Sequence, residues 1–168
     1  MIFRPTPLRD VWVVEPELLE DERGFFARVW DTAEFAARGL NGALVQCSIS
    51  FNRRRGTLRG LHYQAPPHEE AKLVRCIAGA IFDVAVDLRP SSDTYCRWYG
   101  IELSAENRLA LYVPEGCAHG FLTLEDRSEV LYQMSAFHAP EAACGVRFDD
   151  PAFSIAWPGE VVVVNARD

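Results

Sequence analysis

The chain has 168 residues, a formal net charge of −7 (Lys+Arg 17, Asp+Glu 24), 49% apolar residues and 24% charged ones. That is the length of one domain, 1–168, able to bury a core without metal or disulfide staples, and the mix of a globular protein rather than a disordered or membrane-embedded one. So acidic a surface repels nucleic acid and anionic lipid, so neither is expected as a partner, and an anionic ligand must be met by a local basic cluster.

MIFRPTPLRDVWVVEP opens the chain without the apolar stretch of a secretory signal. No run reaches the roughly 18 apolar residues of a membrane span. Cys47, Cys76, Cys96, Cys117 and Cys144 are odd in number, scattered, and form no CxxC pair. They read as free thiols, and a cytoplasmic location is expected.

In chain order, VWVVE (11–15) reads as a strand. DTAEFAARG (31–39) is the one convincing helix, with Asp31 as cap, Glu34 three residues on and Gly39 closing it. Strands follow at 43–50, 57–64, 72–79, 80–88, 98–104, 109–114, 120–125 and 128–135, where β-branched and aromatic residues dominate short runs between turns. Alternation in AIFDVAVDL puts Ile81, Asp83, Ala85 and Asp87 on one face and Phe82, Val84, Val86 and Leu88 on the other. Many short strands with one or two short helices predict an all-β fold, a double-stranded jelly roll of two antiparallel sheets with room for a ligand between them.

The chemistry concentrates in RRRGTLRGLHYQAPPHEEAKLVRCIAG. Arg53–Arg55 read as a solvated turn. Arg59 lies within a strand and suits a phosphate or diphosphate, which arginine grips bidentately. Strict alternation puts Leu58, Gly60, His62 and Gln64 on one face and Arg59, Leu61 and Tyr63 on the other, unless a bulge at Gly60 re-aims them. The spacing Gly56–His62 and Lys72–Gly79 resembles the first cupin motif, and PEGCAH (114–119), with Pro114, Gly116 and His119, resembles the second. Cupins often hold a metal with three histidines and a glutamate. Here Gln64 and Lys72 stand at two of those positions, and an ammonium among the ligands opposes a bound cation, so no metal and no cofactor are expected.

A histidine and a lysine without a metal suit proton abstraction beside a carbonyl. The imidazole is the base and the ammonium steadies the enolate. Tyr132, in SEVLYQMS, is placed on a strand from which it can return the proton. Cys117, two residues from His119, is a possible thiol nucleophile, though such spacing also serves packing.

DERGFF (21–26), RGTLRGLHYQ (55–64), AKLVRC (71–76), FDVAVDLR (82–89), LSAENRLALYVPEGCAHGFLTLED (103–126), EVLYQMS (129–135) and DDPAFSIAWP (149–158) occur in order over nearly the whole chain. Together they resemble the dTDP-4-dehydrorhamnose 3,5-epimerases, metal-free cupins acting on nucleotide-linked 4-keto-6-deoxy sugars. The resemblance implies His62 as general base, Asp168 (from NARD, 165–168) as its carboxylate partner, Lys72 at the sugar O4 and Tyr132 as the acid. It implies Arg23 and Arg59 as diphosphate and substrate contacts, Gln46 and Phe26 as nucleotide contacts, and His119 in the sugar pocket. Asp83 is expected to orient one of these groups. It further implies a homodimer built by strand exchange, with residues near Arg23 and Phe26 reaching into the partner's site. Arg28, Ser48 and His138 depart from the family pattern of glutamate, asparagine and an aromatic, which bears on the nucleotide and on the number of inverted centres.

The expected function is inversion at C3, C5 or both of a dTDP-linked 4-keto sugar. The alternatives are a CDP- or GDP-linked substrate, a non-catalytic nucleotide-sugar-binding cupin and, least of all, a metal-dependent cupin oxygenase.

Overall fold

A computed structural model describes residues 1–168. Thirteen strands and one short α-helix are formed: β1 Ile2–Pro5, β2 Trp12–Glu15, β3 Leu19–Asp21, β4 Gly24–Phe26, α1 Thr32–Ala36, β5 Gln46–Asn52, β6 Leu58–Gln64, β7 Lys72–Ala78, β8 Ala80–Asp87, β9 Trp98–Ser104, β10 Ala110–Val113, β11 Cys117–Thr123, β12 Ser128–Met134 and β13 Ala143–Gly145. They build a six-stranded sheet in the order β1-β2-β10-β7-β12-β5 and a five-stranded sheet in the order β13-β6-β11-β8-β9, with β3-β4 as a separate hairpin. All pairings within these sheets are antiparallel, as the jelly-roll expectation required.

The alternating strands supply both walls of the core. Val74, Cys76, Leu111, Val113 and Val130 from the larger sheet meet Ile81, Ala85, Leu103, Cys117 and Phe121 from the smaller one. Each of the Val, Leu, Ile and Phe side chains among them, fully buried, favours folding by about 1.5–3 kcal/mol. The opposite faces are covered unequally. On the larger sheet, α1 lays Phe35 over Leu73, Tyr112 and Val14. On the smaller sheet, Val146, Phe153, Ile155 and Trp157 cover Leu61, Val84, Val86 and Ala118. The β5–β12 half of the larger sheet is left bare, with Ile49, Phe51 and Ile77 exposed.

The helix begins where the sequence placed it. Asp31 accepts from the backbone N–H of Ala33 and Glu34. Glu34 does not reach back to the cap, as a capping box would have it; its carboxylate takes the Met1 ammonium instead. Residues 43–45 lie outside β5, and β11 starts three residues earlier than expected. Strands β1, β3, β4 and β13 carry three or four residues each, too few for an alternation signal.

The most consequential departure is in β6. Strict alternation puts Arg59 and His62 on opposite faces, yet both reach the same cavity. Gly60 is the cause. Its φ is +110°, and a Cβ there would meet the His119 carbonyl oxygen at 2.6 Å and Gly120 Cα at 2.7 Å. The β6–β11 register slips there, so Arg59 pairs with Phe121 and His62 with His119, the pair of positions that share a face of β11.

Candidate active site

A cavity of about 870 Å³ lies between the sheets. Strand β6 supplies Arg59, His62 and Gln64, β7 supplies Lys72, β11 supplies His119, and β12 supplies Tyr132. Gln46 comes from β5 and Asp168 from the C-terminal segment. Seven of the nine expected site residues therefore converge, and Arg23 and Phe26 do not. Those two sit on the β3–β4 hairpin, where Arg23 pairs with Asp21 and Phe26 is 68% exposed.

Two histidine–aspartate pairs dominate the smaller sheet's wall. His62 Nε2 lies 2.7 Å from Asp168 Oδ1. The His62 side chain is 54% exposed while that of Asp168 is 6% exposed, so the carboxylate is anchored and the imidazole is open to a ligand. The C-terminal segment is guided there by edge pairing. Gly56 accepts from the N–H groups of Val162 and Val163, and Leu58 N–H donates to the Val163 carbonyl. The second pair is sealed. His119 Nε2 lies 2.7 Å from Asp83 Oδ1, with side chains 4% and 0% exposed. This is the orienting contact expected of Asp83, and His119 is the group it orients.

From the larger sheet, Lys72 Nζ is held at 2.6 Å by Glu70 Oε1, both side chains being nearly buried. Tyr132 stands edge-on to His119, with ring centroids 6.0 Å apart, and beside Phe121. Its hydroxyl is 3.4 Å from Ser50 Oγ. Burial pushes the Tyr132 phenol well above its ordinary value, against the weaker opposing effect of Ser50, so the hydroxyl keeps its proton at neutral pH.

Arg59 donates through Nε to Asn52 Oδ1 at 2.7 Å, which fixes its reach into the cavity. Gln64, at a cupin ligand position, has its amide fully engaged. It donates to the His68 and Phe137 carbonyls and accepts from Ala139 N–H. Gln46 Oε1 likewise accepts from His138 N–H at 2.6 Å. No group of three His, Cys, Asp or Glu side chains is gathered closely enough to hold a metal. The Cys117 thiol belongs to the core, and burial pushes it up to about 12, which removes it as a nucleophile.

Among the cavity residues that the sequence did not single out, Glu70, Asn165 and Arg167 carry polar or charged groups. Glu70 looked like part of a solvated charge run, HEE, and only the path of the loop before β7 turns it inward. Arg167 flanks Asp168 in NARD, and the basic character of that tetrapeptide was the available signal.

The family model described as dTDP-4-dehydrorhamnose 3,5-epimerase matches residues 5–168. The dTDP-4-dehydrorhamnose 3,5-epimerase of Methanothermobacter thermautotrophicus is 47% identical over 169 residues, covering 99% of this chain and 90% of the relative. The crystal structure of the enzyme of that name from Elizabethkingia anophelis superimposes with a TM-score of 0.92 at 45% identity, over 94% of this chain and 86% of that one. The dTDP-6-deoxy-D-glucose-3,5-epimerase of Legionella pneumophila, solved with dTDP-4-keto-L-rhamnose, gives a TM-score of 0.92 at 36% identity, over 99% and 89%. The jelly roll, the cavity between its sheets and these likenesses along nearly the whole chain lead to one conclusion: it belongs to the dTDP-4-dehydrorhamnose 3,5-epimerase family of isomerases.

Proposed function

We propose that the chain, acting as one domain over residues 1–168, epimerises C3, C5 or both of a dTDP-linked 4-keto-6-deoxy sugar, in the manner of dTDP-4-dehydro-6-deoxyglucose going to dTDP-4-dehydrorhamnose. The observation that carries the reading is the His62–Asp168 pair, opening into the cavity that also holds Lys72 and Tyr132.

The ketone acidifies the adjacent C–H bonds. His62 takes the proton on the ring nitrogen not bound to Asp168, and Asp168 stabilises the imidazolium that forms. The electron pair moves onto O4, where the Lys72 ammonium meets it. Glu70 keeps that ammonium in place. Tyr132 then delivers its phenolic proton to carbon. His62 belongs to the smaller sheet and Tyr132 to the larger. A ring lying between them loses a proton toward one wall and regains it from the other, which inverts the carbon. Bulk solvent returns the proton to Tyr132 and removes that on His62, so the cycle consumes and releases no net proton and needs no redox partner.

Arg59 and Arg167 supply positive charge for the diphosphate within this chain, and Gln46, His119 and the nearby His138 line the nucleotide and sugar positions. Arg23 and Phe26 fit the site only as loans from a second copy, in a homodimer formed through the bare half of the larger sheet. Support for that interface comes from Ile49, Phe51 and Ile77. The five unpaired thiols are compatible with work in the cytoplasm.

The test is incubation in D2O with dTDP-, CDP- and GDP-linked 4-keto-6-deoxy sugars, followed by NMR of the ring. Deuterium at C3 or C5 of the dTDP sugar supports the proposal. Absence of exchange on every sugar refutes it, and tight binding without exchange identifies a binding module instead.

A further inference from the structure

His119 and His62 are register partners on β11 and β6, so their imidazoles stand side by side on one wall of the cavity. Their carboxylate partners differ. Asp83 is fully buried, Oδ1 makes its one hydrogen bond, to His119 Nε2, and Oδ2 has no partner at all. His119 Nδ1 makes no hydrogen bond within the chain, which leaves it as the polar atom this ring can offer a ligand.

Two proton inventories are open to such a pair. With one hydrogen, on Nε2, the imidazole is neutral, the carboxylate is charged, and a net −1 is buried with a single hydrogen bond to hold it. With two hydrogens the pair is net neutral. The second hydrogen then resides on Nδ1 whether the shared one sits on Nε2 or on Oδ1; placed on Oδ2 instead, it would be a buried donor with no acceptor, the costlier arrangement. Burial of an uncompensated carboxylate is the costly case.

The surroundings do not supply the missing charge. The Tyr132 phenol on β12 and the Cys76 thiol on β7 are both pushed upward, by burial first and by Asp83 in addition, so both are neutral. Phe121 and Ala85 are apolar. Arg59 on β6 is the nearby cation, but its Nε donates to Asn52, it makes no ion pair with Asp83, and His119 is the one group that lowers the Asp83 carboxyl. Burial also pushes the Asp83 carboxyl upward, against the pull of His119.

We infer that His119 and Asp83 form a net-neutral, doubly protonated unit whose Nδ1–H projects into the cavity as a fixed hydrogen-bond donor to the substrate's O4. Resting on the epimerase reading, this gives the enolate oxygen two donors, Lys72 from the larger sheet and His119 from the smaller. As the C–H proton passes to His62 and the electron pair moves to O4, His119 donates a hydrogen bond and transfers no proton. Asp83 is thus a positioning residue: it selects which nitrogen of His119 carries hydrogen.

The experiment is long-range ¹H–¹⁵N NMR of the whole protein with labelled histidine, at and around neutral pH. A protonated Nδ1 on His119, assigned by its loss in His119→Gln, is the expected result; a bare Nδ1 overturns the inference. The kinetic arm compares variants. His119→Leu, which has no donor, is expected to lower kcat by about 10²-fold, as removal of an oxyanion donor does, with KM changed far less. Asp83→Asn can donate its amide N–H to Nε2 and so preserve Nδ1–H, and its kcat should stay within about tenfold of the parent. Unchanged kcat in folded His119→Leu would overturn the donor role. The spectrum requires no substrate, so a protein that exchanges no sugar proton would sink the epimerase reading while leaving the proton count to be decided on its own.

Discussion

The two histidine–aspartate pairs share a wall and a 2.7 Å contact, but the proposed mechanism gives them opposite tasks. His62 is more than half exposed, and its carboxylate comes from a segment laid along the edge of β6. Its charge can change during a reaction because substrate and solvent reach the ring. His119 and Asp83 are enclosed between neighbouring strands, where gaining or losing a charge is opposed by burial. Under the proposed mechanism the same two residue types give a proton carrier when one partner is open and a fixed dipole when neither is. Environment, rather than residue identity, assigns the role.

The largest expected effect separates the pairs directly. His62→Ala removes the base and should lower kcat by about 10³-fold, within the usual range for general base catalysis, with the fold unchanged by circular dichroism. Asp168→Asn should cost about 10²-fold or more, because the carboxylate is needed when the imidazolium appears. A milder loss at Asp168 than at Asp83 would erase the distinction between the two pairs.

Next come the groups on the opposing sheet. Lys72→Met should lower kcat by about 10²-fold, since the enolate loses its cation. Glu70→Gln should cost less, because the amide oxygen still accepts from Nζ. Tyr132→Phe is expected to split two activities: deuterium exchange partly survives, as His62 remains, while inverted product falls sharply. Equal loss of both in Tyr132→Phe would place the returning proton elsewhere.

The bare half of the larger sheet offers a different contrast, with the α1-covered half. Ile49→Glu puts a charge on the proposed dimer face, and analytical ultracentrifugation should find the parent as a dimer and the variant shifted to monomer. A parent that sediments as a monomer would remove Arg23 and Phe26 from the site.

Much of this was legible in the sequence because the strands that carry chemistry are long. Seven-residue β6, β7 and β12 declare themselves by composition, and the motifs around His62, Lys72 and Tyr132 are carried on them. What escaped depends on contacts that no local pattern records. Arg59 shares a face with His62 only because Gly60 breaks the alternation. Glu70 faces inward because of the loop between β6 and β7. The hairpin bearing Arg23 and Phe26 is too short to show a period, and one chain gives it nothing to cover.

The smallest expected effect concerns stability. Burial would raise the Asp87 carboxyl, but the donors from Arg89, Ser92 and Thr94 outweigh it and hold the group well below the usual carboxylate range. A depressed folded value stabilises the fold above the unfolded carboxylate value of about 4, and that contribution is lost as pH falls toward the folded value. Urea midpoints of the parent should therefore drop on acidification, and those of Asp87→Asn should start lower and depend less on pH.

The proposed mechanism turns on one step, removal by His62 of a proton from carbon beside the 4-keto group. It is tested most directly by following the ring protons of a dTDP-linked 4-keto-6-deoxy sugar in D2O by NMR, with the parent protein and with His62→Ala. C3–H or C5–H should be replaced by deuterium with the parent and persist with the variant. Exchange that continues at the parent's rate in His62→Ala would contradict it.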